Sequence, residues 1–275
     1  MTGASAPAPT RRSRLPSDLG PRVAVAVPAV VVLLALNHSG GLAFAIPLAV
    51  LGALGHWELS RLAQLPPAAA IPGCGAVAAA AITGLEDVSA EPRALGALLV
   101  AGALAAGVSR PGARNRAFLV TLGGFAWLGV CLMFAVMLRE LPHGAGLVVD
   151  VLLATFVGDT AAQLVGSAFG RRRLAPRISP NKTVEGLAAG IVVGTLACVA
   201  ASLFQDWLST GDALLLGLAC ALAAPAGDLL ESAIKRRAGV KDSGRMFGAH
   251  GGVLDRADAA MMAAFVGYWV ARAVL

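Results

Sequence analysis

The chain has 275 residues, 57% of them hydrophobic and 14% charged, with a formal net charge of +6 and a mean hydropathy of +0.75. Soluble domains carry about a quarter charged residues, so this composition excludes an ordinary soluble domain and leaves a membrane protein. No aromatic-interleaved basic surface or nucleic-acid-binding signature accompanies the positive charge, so no nucleic-acid partner is expected.

Residues 1–20, "MTGASAPAPTRRSRLPSDLG", are small, polar and Pro-rich, and such a stretch reads as a disordered basic tail. From residue 21 to 275 the chain reads as one transmembrane domain, with scaffold helices over 21–145 and catalytic helices and loops over 146–275. Nine apolar blocks run near 22–37, 41–60, 68–85, 93–109, 117–138, 147–169, 184–204, 212–230 and 256–275. Crossing a bilayer as helix takes about 20 apolar residues, and the alternation of a barrel strand is absent. The expected fold is therefore all-α, a polytopic membrane protein with about nine transmembrane helices.

Cytoplasmic loops carry the excess of Lys and Arg. With a cytoplasmic N-terminus, only Arg93, Arg139 and Arg272 of the 22 basic residues fall outside, leaving 22 − 3 = 19 inside. The net charge thus records orientation in a cell membrane. Cys74, Cys131, Cys198 and Cys220 lie singly in apolar blocks, without zinc-site spacing, and read as small core residues.

The first 140 residues offer little chemistry. In "GHWELSRL" (55–62), Trp57 suits an interface anchor and Glu58 with Arg61 an i, i+3 ion pair.

Beyond residue 150, acidic residues enter the apolar blocks. Asp159 sits within a span, where a carboxylate usually faces a cavity, partner or ion; a polar clamp between helices is the plainer alternative. The loop "GRRRLAPRISPNKTVEG" (170–186) suits anions. Ser179 and Pro180 are predicted to be the N-cap and first residue of the next span, and Lys182 and Thr183 beside that N-terminus make a phosphate site. Arg171, Arg172 and Arg173 serve topology and lipid headgroups on the plainer reading.

In "APAGDLLESAIKRRAG" (224–239), steps of three, one and three place Asp228, Glu231, Ser232 and Lys235 on one helix face. A Glu231–Lys235 ion pair is the plain reading, but it leaves Asp228 unexplained. Asp255 and Asp258 form a second pair at the start of the last block. Mg²⁺ takes one or two carboxylates and completes its shell with waters and substrate phosphates, so two helix ends bearing acidic pairs suit a metal–nucleotide complex. Gly251 and Gly252 permit close backbone approach, and His250 can donate to a phosphate.

The run "SAIKRRAGVKDSGRMFGAHGGVLDRAD" (232–258) closely resembles the signature of phosphatidate cytidylyltransferases, or CDP-diacylglycerol synthases. Ser232, Lys235, Arg236, Lys241, Asp242, Gly244, Phe247, Gly248, His250, Gly251, Gly252, Asp255, Arg256 and Asp258 match that family's spacing. "GDLLES" (227–232) and "ISPNKTVEG" (178–186) are similar to further family stretches, and "DTAAQLVGSAFG" (159–170) is a looser match. Ala257, Gln163, Val184 and Asn181 depart from the family pattern, and none of them removes a carboxylate or serine.

The resemblance implies transfer of a cytidylyl group from CTP to phosphatidate, giving CDP-diacylglycerol and pyrophosphate. It assigns Asp228, Glu231, Asp255 and Asp258 to Mg²⁺, with room for a second cation. It gives catalytic roles to Asp228, Ser232, Lys235, Asp255 and Asp258. Ser179, Lys182, Thr183, Arg236, Lys241, His250, Gly251, Gly252 and Arg256 are implied to bind substrate, with membrane lipid around the bundle and a homodimer as the family's assembly. The rival readings are another CTP-using lipid enzyme, a polyprenol kinase or an ether-lipid cytidylyltransferase, and, from another class, an ion-coupled transporter relaying through Asp159, Asp228 and Asp255.

Overall fold

The computed structural model describes residues 19–86, 100–109, 111–244 and 251–275. Eight long helices dominate them: α1 (Leu19–Ser39), α2 (Gly41–Leu62), α3 (Pro67–Thr83), α4 (Pro111–Glu140), α5 (Gly144–Phe169), α6 (Val184–Ser202), α7 (Thr210–Arg237) and α8 (Leu254–Val274). Residues 100–107 are also helical, but most of the 93–109 block lies outside the described residues, as does the tail before residue 19. Among the described residues α2, α4, α5, α6 and α7 are long and apolar enough to cross a membrane, and the chain is a polytopic membrane protein.

Local sequence sets the helix ends. Pro67 occupies the first turn of α3, where its missing N–H is no loss. The Ser209 hydroxyl caps α7 by accepting the Asp212 N–H at 3.2 Å. Pro47, Pro72 and Pro225 lie inside helices, which transmembrane helices tolerate because neighbours re-satisfy the freed carbonyls. A π-turn at Phe125–Gly129 interrupts α4.

Residues 179 to 183 correct the sequence reading. Ser179 and Pro180 do not open α6; Ser179–Thr183 is a strand, β2, paired antiparallel with β1 (Arg173–Ala175). The helix starts at Val184 because Thr183 is the better cap: its hydroxyl accepts the Gly186 N–H at 3.1 Å. Glu185 then holds the N–H groups of Arg171 and Arg172 at 3.0 and 3.2 Å. Pro180, with no N–H, is suited to the edge of a small ladder.

α5 and α6 pack closely because Gly186, Gly190 and Gly194 recur every fourth residue. A Cβ on Gly194 would strike the Ala154 carbonyl, and one on Gly190 would lie 2.9 Å from the Gly158 carbonyl. Small residues at that spacing let helix backbones meet in lipid. On the other side of the bundle Phe134 packs against Phe265 and Tyr268, with ring centroids 5.1 and 5.0 Å apart.

The two ends of the bundle differ. At one, Arg139 Nε donates to the Asn37 carbonyl at 2.5 Å, Glu140 accepts the Gly41 N–H at 3.0 Å, and Asn37 donates to the Ala145 carbonyl at 2.9 Å. His143 and Trp207 stack nearby at 4.7 Å. The opposite end gathers the C-termini of α2 and α7, the β hairpin and the start of α8. Arg61, Lys182, Lys235, Arg236 and Arg237 lie at this second end, and Arg139 at the first.

Candidate active site at the ends of α2, α7 and α8

Asp228, Glu231, Ser232 and Lys235 share one face of α7, and the start of α8 meets that face. Lys235 Nζ bridges two helices, 2.6 Å from Glu231 Oε2 and 2.5 Å from Asp255 Oδ1. Ser232 donates to Asp228 Oδ1 at 3.3 Å. Lys182, on β2, forms an ion pair with Asp228. Two ammonium groups thus stand among four carboxylates.

The carboxylates divide into two jobs. Asp258, Glu231 and Asp228 each offer an oxygen within 4.8 Å of the others. Among the described residues Glu231 Oε1 is buried with no hydrogen-bond partner, a costly state for a carboxyl oxygen unless a cation faces it. Three converging hard oxygen donors fit a divalent ion that keeps waters and phosphates in its shell. Asp255 is not one of this trio, although Lys235 holds it beside Glu231. Its Oδ2 accepts the Gly252 N–H at 2.7 Å and the Ser243 N–H at 3.0 Å and lies 3.0 Å from the Ser243 hydroxyl, whose single proton it shares with Glu58, while Oδ1 faces Lys235. That full set of donors makes Asp255 an organiser of the turn before α8.

Glu58 completes this turn, and its role escaped the sequence reading. Where the sequence suggested an i, i+3 ion pair with Arg61, Glu58 is a buried acceptor for the N–H groups of Val253 and Leu254 at 3.0 and 3.1 Å, and for the Ser243 hydroxyl at 2.8 Å. The first N–H groups of a helix have no partner within the helix, and a carboxylate from α2 supplies one. An acid closing an apolar block was the only signal in the sequence for Glu58; Ser243 carried none. The two glycines follow from the same geometry. Gly251 has φ +82°, and a Cβ on Gly252 would collide with the Glu58 carboxylate and the Ser243 hydroxyl.

A cavity of about 360 Å³ opens beside the trio, bounded by α5, β2, α6 and α7. Asp159, Lys182, Thr183 and Asp228 line it, with Gln163 and Asn181. Asp159 therefore faces a cavity. Ser179 pairs with Ala175 in the hairpin and is not a helix cap. Arg236 donates to the carbonyls of Ile178 and Val240, each at 3.2 Å, tying the hairpin to α7. Lys241 is exposed. Arg256 is on α8 but lines a separate apolar cavity, and His250 lies outside the described residues.

A family model described as "Cytidylyltransferase family" matches residues 21–274. The chain belongs to the cytidylyltransferase family. This cytidylyltransferase is 30% identical over 262 residues to the phosphatidate cytidylyltransferase of Mycobacterium bovis, covering 93% of this chain and 82% of that protein. It is 31% identical over 255 residues to the phosphatidate cytidylyltransferase of Bacillus subtilis, covering 88% of this chain and 93% of that protein. A match to the phosphatidate cytidylyltransferase of Mycobacterium leprae, 38% identical over 147 residues, takes in 52% of this chain and 46% of that protein. In that alignment the chain spans about half the length of its relative.

Proposed function

We propose that this membrane-bound nucleotidyltransferase transfers the cytidylyl group of CTP to phosphatidate, releasing pyrophosphate and forming CDP-diacylglycerol. The observation that carries the reading is the meeting of Asp228, Glu231 and Asp258 beside a cavity that also presents Lys182, in a chain similar along most of its length to two phosphatidate cytidylyltransferases.

A phosphatidate oxygen attacks the α-phosphorus of CTP, the bond from that phosphorus to the bridging oxygen breaks, and pyrophosphate leaves. No protein nucleophile is needed, so the protein contributes positioning and charge neutralisation. Asp228, Glu231 and Asp258 would hold Mg²⁺, which when bound offsets negative charge on the phosphates. Lys182 neutralises nucleotide phosphate from the cavity wall, and Thr183 lies beside it. Lys235 fixes Glu231 relative to Asp255, and Ser232 orients Asp228. Asp159, across the cavity, restricts where an anionic phosphate can lie.

The basic end of the bundle faces the cytoplasm in this reading, where CTP is supplied, and the lipid arrives laterally so that its chains stay in hydrocarbon. Incubating purified protein with Mg²⁺, phosphatidate and CTP labelled at the α-phosphate tests the reaction. Label in the lipid product with equimolar pyrophosphate is expected. Release of CDP with a phosphorylated lipid would instead identify a CTP-dependent lipid kinase.

A further inference from the structure

A second cavity, about 190 Å³ and almost wholly apolar, lies among α1, α2, α4, α5 and α8. Gly52 and Gly55 of α2, Leu128 and Leu132 of α4, and Ala257 and Ala260 of α8 form much of its wall. An apolar cavity of about 150 Å³ stays dry and takes an apolar guest, so a chamber of this size and lining suits hydrocarbon and not water. Glycine lets α2 approach α8 at its wall: a Cβ on Gly55 would come within 3.2 Å of Leu254 Cδ2. Arg256, exposed at the start of α8, is the charged residue of its wall among the described residues.

The chamber backs onto the charged site. Val253 and Leu254 line the chamber, whereas Asp255 is turned to Lys235 and Asp258 to the carboxylate trio. On α5, Phe156 lines the chamber and Asp159, three residues later, lines the charged cavity. One turn of α8 and one of α5 thus separate apolar space from the phosphate-binding side.

We infer that this chamber receives one acyl chain of the lipid substrate, with the anionic headgroup crossing the first turn of α8 past Arg256 to the carboxylate trio. The inference rests on the proposed use of phosphatidate. It fits an occupant with an anionic end and an apolar tail, because the wall offers one cation at the side of the charged site and hydrocarbon elsewhere. Chain length and branching are then read by the side chains at 128, 132 and 260.

The test uses the full chain in phosphatidylcholine nanodiscs with phosphatidate carrying a diazirine near the end of one acyl chain, and no CTP. Photolabel is expected on peptides containing Leu128, Leu132 and Ala260, displaced by unlabelled phosphatidate. Ala260→Phe fills the chamber. It should remove that label and raise KM for dioleoyl phosphatidate, while the turnover of dioctanoyl phosphatidate is kept. Leu128→Ala, which widens the chamber, should shift preference toward bulkier chains and provides the same test if Ala260→Phe does not fold. Label confined to exposed lipid-facing positions such as Leu119 and Leu164, or equal KM changes for both chain lengths, would overturn the inference. Labelling needs no CTP, so a wild type that releases no pyrophosphate counts against the proposed reaction, and missing chamber label counts against the chamber.

Discussion

The carboxylate of Glu58, near the end of α2, accepts the backbone N–H of Leu254 at 3.1 Å across 196 residues of sequence. A helix of the supposed scaffold thereby fixes the first turn of the helix that carries Asp255 and Asp258. Glu58→Ala leaves the Val253 and Leu254 N–H groups without this acceptor, while the Ser243 hydroxyl keeps Asp255 Oδ2 at 3.0 Å. The expected loss is about 1–3 kcal/mol for each buried donor left unsatisfied, read as a lower unfolding temperature in detergent together with weaker pyrophosphate release. Wild-type stability in Glu58→Ala would contradict this role.

Lys235 joins Glu231 and Asp255, and the three side chains are only 12%, 3% and 11% exposed. Removing one partner from a buried ion pair costs about 3–5 kcal/mol, because the other charge stays buried. Lys235→Met should therefore lose both stability and activity. Adding Glu231→Gln and Asp255→Asn to Lys235→Met should restore part of the stability and none of the activity, as read by thermal unfolding beside the CTP assay.

Single amide substitutions should separate the carboxylates by job. Glu231→Gln and Asp258→Asn should raise the Mg²⁺ concentration for half-maximal rate about tenfold or more, as loss of an interaction of at least 1.4 kcal/mol does. Asp255→Asn should chiefly lower the unfolding temperature, since its oxygens accept from Ser243, Gly252 and Lys235. Chelation by EDTA should abolish turnover and added Mg²⁺ should restore it. Titration of rate against free Mg²⁺ for each variant checks the division, and equal Mg²⁺ shifts in all three would refute it.

Gly252→Ala places a methyl group against the Glu58 carboxylate and the Ser243 hydroxyl. Overpacking of this kind costs about 1–3 kcal/mol. The substitution should lower the unfolding temperature more than Gly123→Ala, a position where an added Cβ meets nothing within 4 Å.

Much of this architecture is legible in the sequence, because the membrane demands apolar runs of helical length and α2, α4, α5, α6 and α7 coincide with such runs. The face uniting Asp228, Glu231, Ser232 and Lys235 is legible for a similar reason: helical spacing alone brings them together. What misleads is local ambiguity resolved by distant partners. Ser179–Pro180 is a sound helix start, but Thr183 makes the actual cap, and the ladder with Arg173–Ala175 draws Ser179 into a strand. Glu58 has Arg61 at ion-pair spacing, yet the N-terminus of α8 offers it two N–H groups from far along the chain. On sequence Asp228 and Asp255 lead the metal set, whereas in the fold Asp258 and Glu231 are the acids that converge with Asp228, and Asp255 also holds the turn over Ser243 and Gly252.

Cytidylyl transfer at Asp228, Glu231 and Asp258 has one direct test. The deciding measurement is pyrophosphate release by purified protein with CTP, Mg²⁺ and phosphatidate, beside Asp258→Asn shown to fold by its thermal transition. The expected result is lipid-dependent release by the wild type and a loss of about 100-fold or more in the variant, the size of effect seen when a preorganised electrostatic contact to the reacting groups is removed. Lipid-independent release, no release by the wild type, or full activity in folded Asp258→Asn would contradict it.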